Sequence, residues 1–154
     1  MRKYDSAEDT KKHIERVQTL LNFCIENLSS RKDVHDKSKL EDPEKAIFDE
    51  MTPKLRESSY GSDDYVEHLA RMKEALDHHY ANNSHHPEHY SNGIDGMSLL
   101  DLIEMLCDWK AAGERVADGD MQRSLELNQV RFSISPQLQS ILENTARELG
   151  FFED

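Results

Sequence analysis

Apolar residues recur three and four positions apart along nearly the whole chain, and strand-like alternation is almost absent, so the pattern predicts an all-α fold. A first helix is expected to start near Ser6 or Thr10, either of which can cap it, and to run to about Leu28. Ile14, Val17, Leu21, Cys24 and Leu28 form its apolar stripe. Ser29 and Ser30 are expected to break it, with a short helical turn following around Val34 to Leu40. Pro43 suits the first position of a second helix, which Pro53 interrupts or kinks. The stretch "SSYGS" reads as a turn, and Ser62 caps a helix from Asp63 to about Ala81. Tyr65, Leu69, Met72, Leu76 and His79 lie on one stripe of that helix. "NNSHHPEHYSNGIDG" is rich in turn formers and reads as a loop. Ser98 then caps "LLDLIEMLCDWKAAGERVA", the most hydrophobic helix of the chain. A polar segment leads to a last helix, capped by Ser135 with Pro136 at its first position. Without internal repeats or a linker, residues 1–154 are expected to form one compact bundle of about six helices, with the C-terminal helix, residues 135–150, packed on the rest.

Charge narrows the range of partners. The chain carries 31 acidic and 19 basic residues, a formal net charge of −12. That balance argues against a long nucleic acid, whose phosphates need clustered Lys and Arg, and against an anionic membrane surface. A small anionic substrate is compatible with it only if bound cations invert the local field. Cys24 and Cys107 both lie in apolar runs and read as separate buried thiols of a reducing compartment. The opening "MRKYDSAEDTKKHIERV" has no apolar segment of the secretory type, and no run approaches the roughly 18 apolar residues of a membrane span. The expectation is a soluble, cytoplasmic protein, and self-association is compatible with it.

The histidines carry the chemistry. Eight are present, and His78, His79, His85, His86 and His89 fall within twelve residues. Imidazoles completed by carboxylates suit Mn, Fe, Co, Ni or Zn, with Mg also compatible as one or two divalent ions. His78 and His89 read as polar loop residues, whereas His79 continues an apolar stripe and is expected to point inward. A single inward histidine is more often a hydrogen-bonded core residue than a ligand, but His79 has company. His13 shares a helical face with Val17, Leu20 and Cys24. Asp108 is set among apolar residues in "EMLCDWKAA", where an ionised carboxylate needs a cation or several hydrogen bonds. The alternative for Asp108 is a bond to the Trp109 indole or to a helix end, and Asp101, two turns earlier, competes with it as a ligand.

In chain order the set reads His13, His35-Asp36, His79, His85-His86, Asp108. This order resembles the HD-domain superfamily of metal-dependent phosphohydrolases, which are all-helical. "HIERV" is similar to that family's first-helix histidine, and "HDKSKL" to its HD-x-x-K signature, with Lys39 at the lysine position. "LCDWKAA" resembles the late helix that carries a metal-binding aspartate, and "HHPEHYSNGI" the paired-histidine segment of members with more than one metal. The match spans roughly residues 10–115. Small phage and bacterial proteins carrying "HDLSKL", "HHPEHY" and "EMLCDWKA" are similar too. Two departures stand out: His79 and His85 are only six residues apart, and Pro87 separates the histidine pair from Glu88.

The resemblance implies that His13, His35, Asp36 and Asp108 hold a first metal, with Asp36 bridging to a second held by His79, His85 and His86. It implies hydrolysis of a nucleotide or a similar small phosphoester by a metal-activated water. Lys39 would contact phosphate, and Glu88 and Glu104 would shuttle protons or support ligating histidines. Two other classes are open: an HD-fold di-iron oxygenase, and a non-catalytic helical protein stapled by metal.

Overall fold

The computed structural model describes residues 5–57, 63–115 and 119–152. The fold is all-helical, with seven α-helices, three short 3-10 turns and no strand among the described residues. The helices are α1 (Ala7–Val34), α2 (Glu44–Glu57), α3 (Asp63–Arg71), α4 (Lys73–Asn82), α5 (Leu99–Gly113), α6 (Met121–Arg131) and α7 (Pro136–Glu148). The 3-10 turns are Lys37–Leu40, Pro87–His89 and Gly93–Gly96. None of the helices among the described residues is long and apolar enough to cross a membrane. The expected turn at 58–61 and the Ser62 cap lie outside the described residues, as do the side chains of Tyr65 and Leu69.

The chain divides into two units, Met1–Val34 and His35–Asp154. The first is α1, a single helix of 28 residues that continues through Ser29 and Ser30. The serines do not break it because the Ser30 hydroxyl donates to the Glu26 carbonyl one turn back, so it is satisfied within the helix. No residue of α1 is buried: Ile14 is 49% and Leu21 56% exposed, and Cys24 is an exposed free thiol.

In the second unit α5, α6 and α7 pack around Leu102, Met105, Leu106, Met121, Leu125, Leu142 and Ala146, with Ile134 from the connecting turn. Trp109 and Phe132 lie against this core with parallel rings, 6.2 Å between centroids. Side-chain caps start the three helices of this core. The Ser98 side chain accepts from the Asp101 amide and Asp101 accepts from the Ser98 amide, a capping box that opens α5. Ser135 caps α7 with Pro136 in its first turn. Asp120 caps α6, a helix where the sequence suggested only a polar segment, because Met121 and Leu125 are its sole buried residues.

The remaining helices, α2 to α4, pack together and against the Lys37–Leu40 turn. α2 runs without a break through Pro53, forgoing only the hydrogen bond that proline cannot donate. The single helix expected over 63–81 is two, interrupted at Met72; the Met72 amide still bonds to the His68 carbonyl at 3.1 Å, so the interruption is local. Cys107 is exposed, contrary to the expectation of a buried thiol, because its position in α5 faces away from the stripe Leu102, Met105 and Leu106.

Leu125 is fully buried and Leu127, two residues on, is 62% exposed. Leu125→Ala is expected to lower unfolding free energy by about 2–5 kcal/mol, and Leu127→Ala by less than about 0.5 kcal/mol, in equilibrium denaturant titrations.

Candidate metal centre

Four segments of the second unit bring ionisable side chains to one place. The first is the His35-Asp36 pair that leads into the Lys37–Leu40 turn. Asp36 sits there with φ 56° and ψ 11°, a left-handed backbone that costs most residues energy but that aspartate tolerates comparatively well. The bend lets two successive residues, His35 and Asp36, both face the cluster, which a continuing helix would turn about 100° apart. α4 supplies His79, 2% exposed, from its inward face. The following loop supplies His85, also 2% exposed, and half-buried His86. Glu104 and Asp108, one turn apart on α5, complete the set.

The donor atoms form two overlapping groups that share Asp36. On one side are Asp36, His79, His85 and His86, with one ligand atom from each lying within 4.8 Å of the others. His79 Nε2 lies 2.9 Å from His86 Nε2 and 3.4 Å from Asp36 Oδ1, and His85 Nε2 lies 3.6 Å from the same oxygen. Ligands at about 2.0–2.1 Å from a common ion would be roughly 2.9 Å apart at right angles and roughly 3.4 Å apart in a tetrahedron, so these spacings suit an ion. On the other side, His35 Nε2 lies 3.7 Å from both Asp36 Oδ2 and Asp108 Oδ1. Asp36 Oδ1 and His85 Nε2 are buried with no hydrogen-bond partner. Buried acceptors are rarely left in that condition, and a cation between them would satisfy both.

Two glutamates hold the rings in ligating orientation. Glu104 Oε1 accepts from His35 Nδ1 at 2.9 Å and lies 3.2 Å from His85 Nδ1. A carboxylate only accepts, so both rings carry their proton on Nδ1 and turn Nε2 to the centre. The set His35, His85 and Glu104 is therefore a supporting contact and not a third ion site, since it uses the opposite ring nitrogens. Glu44 is fully buried, and its two oxygens face His78 Nδ1 at 2.7 Å and His79 Nδ1 at 2.9 Å.

The histidine loop is fastened separately. Asp101, 2% exposed, accepts from the Ser84 hydroxyl at 2.8 Å, the Tyr90 hydroxyl at 2.9 Å and the Ser98 hydroxyl at 2.6 Å. A side chain at Gly96 would meet Tyr90 Cβ at 2.6 Å, so the close approach that seats Tyr90 requires glycine there.

Burial and charge set protonation states that suit metal binding. Burial pushes the His79 and His85 pKa values down, and it takes His86 to about 3, so these rings are neutral near pH 7. Burial raises the Asp36 and Asp108 carboxyls, but the hydrogen bond from Lys39 to Asp36 and the His35 ring beside Asp108 outweigh it and hold both below the usual carboxylate range. His35 is the exception. The Asp108 carboxylate raises it most, burial opposes, Glu104 and Asp36 add to the rise, and the result is about 9. In the metal-free protein His35 is thus an imidazolium, with a proton where an ion would bind.

The other residues singled out from the sequence have settings of their own. His13 is exposed on α1, in the first unit, and belongs to neither ion group. Lys39 Nζ donates to Asp36 Oδ2 at 2.7 Å, with its side chain 39% exposed. Glu88 pairs with Arg131 at 2.7 Å. Asp101 is occupied as a cap and loop anchor, leaving Asp108 as the α5 aspartate in the ion groups. His89 donates to the Tyr80 carbonyl at 2.7 Å, as a polar loop residue would, whereas His78 is tied to Glu44. Glu44 was not legible as a site residue, since an acid at a helix start is ordinary. Its signal lay in the stripe Glu44, Ile47, Phe48 and Met51, which places it on the inward face of α2.

Ligation needs the His35 lone pair, so metal binding must displace its proton. The folded-state value of about 9 lies above the ordinary 6.5, so the proton is held at pH 7.5 and lost as pH rises through about 9. Calorimetric titration with Co(II) in buffers of different ionisation enthalpy is expected to report release of about one proton at pH 7.5, fading above pH 9, with affinity rising over the same interval. Buffer-independent heats would mean that His35 does not ligate. Compared with known proteins, the chain matches no curated protein and no solved structure. A family model does match, over residues 2–148, so the chain belongs to a family of unknown function, DUF5662.

Proposed function

We propose that the protein is a metal-dependent phosphohydrolase acting on a nucleotide or a similar small phosphoester. The observation that carries this reading is the pair of buried, unpartnered acceptors, Asp36 Oδ1 and His85 Nε2, within a set of imidazoles and carboxylates. His79, His85, His86 and Asp36 would hold one divalent ion, and His35, Asp36 and Asp108 a second. Mn, Fe, Co, Ni or Zn suits this nitrogen-rich set better than Mg, which prefers oxygen. When bound, such ions lower the pKa of water and offset phosphoryl charge, so an acidic chain can accept an anion. The order of the residues, and their resemblance to the HD-domain hydrolases, supports phosphoester chemistry.

The protein's own groups divide the remaining work. Glu104 locks two imidazoles at once, so that His35 and His85 keep their Nε2 atoms on the centre without rotating. Lys39 is bonded to Asp36 and partly exposed, a position from which its ammonium would donate to a phosphoryl oxygen of a bound substrate. His79 and His85 are buried, whereas Lys39, His35 and Asp108 keep part of their side chains exposed, and substrate would approach from those residues.

The abundance of imidazoles also suits a pair of irons, which makes an HD-fold di-iron oxygenase the second reading. Metal analysis of the purified protein, with a screen of nucleotides under added Mn, Co, Ni, Mg and Fe, separates the two. Hydrolysis is expected without oxygen, and Asp36→Asn is expected to lower it roughly 100-fold or more while the helical circular dichroism is kept. Oxygen-dependent turnover with bound iron would favour the second reading. Undiminished hydrolysis by Asp36→Asn would contradict the assignment of the centre, and metal-dependent stability without turnover would make the ion a structural staple.

A further inference from the structure

The least expected feature of the centre is a carboxylate with no solvent exposure at the head of α2. Glu44 is 0% exposed, and each of its oxygens receives an imidazole Nδ1 from successive residues of α4. Neighbouring side chains on a helix diverge by about 100°, so one group between them can be reached by both rings only if it sits against the helix at their level. A buried anion is costly unless it is fully hydrogen-bonded, and the two imidazoles supply those bonds.

What Glu44 does for the centre follows from the other neighbours of His79 Nδ1. Asn83 Nδ2 lies 3.0 Å away and the Ser38 hydroxyl 3.3 Å away. An amide nitrogen only donates. If Asn83 were the dominant partner, His79 Nδ1 would accept and the ring proton would sit on Nε2, facing the ion group and blocking ligation. Glu44 only accepts, which forces the opposite tautomer: the proton is on Nδ1 and the lone pair on Nε2. Asn83 is meanwhile satisfied elsewhere, donating to the Ser38 hydroxyl and to the His79 carbonyl, each at 2.8 Å. The contact of 2.9 Å between His79 Nε2 and His86 Nε2 is then a hydrogen bond with His86 as donor, and ligation through His86 Nε2 would require that ring to carry its proton on Nδ1 instead.

We propose that Glu44 is a positioning residue for a divalent transition-metal ion: it selects the His79 tautomer whose Nε2 lone pair faces Asp36, His85 and His86. This rests on the metal reading above. It also gives His78 a part, since its bond fixes the second oxygen and so the plane of the carboxylate.

The test combines tautomer and affinity. In metal-free wild-type protein at pH 8, two-bond proton–nitrogen NMR should find the His79 proton on Nδ1. In Glu44→Leu, which removes the acceptor at similar volume, Asn83 becomes the partner and the proton should move to Nε2. Co(II) affinity, read from the visible absorption of the bound ion, should fall about 10- to 100-fold in Glu44→Leu with helix content unchanged. Wild-type protein that takes up no Co(II) would overturn the metal reading. Glu44→Leu that binds Co(II) as tightly as wild type would overturn the role of Glu44 alone. The wild-type tautomer decides the question even if Glu44→Leu does not fold: a proton on His79 Nε2 would rule out this role for Glu44.

Discussion

An aspartate with a different partner set on each oxygen organises the second unit. Asp36 Oδ1 faces three imidazoles and is buried without a hydrogen bond, while Oδ2 faces Lys39, with the His35 ring beyond it. Such a group is costly in an apolar setting, and protein folds tolerate it where a cation or a dense set of donors offsets the loss of water. The surrounding chain bends to present it. Asp36 takes a left-handed backbone, and α4, the histidine loop and α5 all converge on it.

Around that carboxylate the supports repeat one device. Glu44 faces the Nδ1 atoms of His78 and His79, Glu104 those of His35 and His85, and each thereby fixes which nitrogen is free to ligate. Asp101 performs a mechanical version of the task, pinning Ser84 and Tyr90 so that His85 and His86 between them are held at the centre. The hydrophobic cluster of α5, α6 and α7 fixes α5, and with it Asp108 and Glu104 on the opposite face. Packing and polar chemistry therefore meet on the two faces of one helix.

Much of this was legible in the residues, and the failures have physical causes. The recurrence of apolar residues every three or four positions identified an all-α fold, and Ser98 and Ser135 marked the starts of α5 and α7 because their hydroxyls are needed there. The stripe ending in His79 placed that ring inward. α6 escaped notice because only Met121 and Leu125 are buried in it, too few for a clear period. Ser29 and Ser30 suggested a break that hydroxyl bonding back to the helix removes. Cys24 and Cys107 sit in apolar runs, but a run does not say which face a residue takes, and both are exposed. Glu44 was missed since its role depends on a neighbour 35 residues away, a pairing that local spacing does not encode.

Anomalous diffraction from crystals grown with Co(II), recorded on both sides of the cobalt edge, locates any ion held by Asp36 and its neighbours. A peak enclosed by His79, His85, His86 and Asp36, with a second enclosed by His35, Asp36 and Asp108, is the predicted result. An ordered cluster in crystals that take up cobalt elsewhere, or not at all, would contradict it.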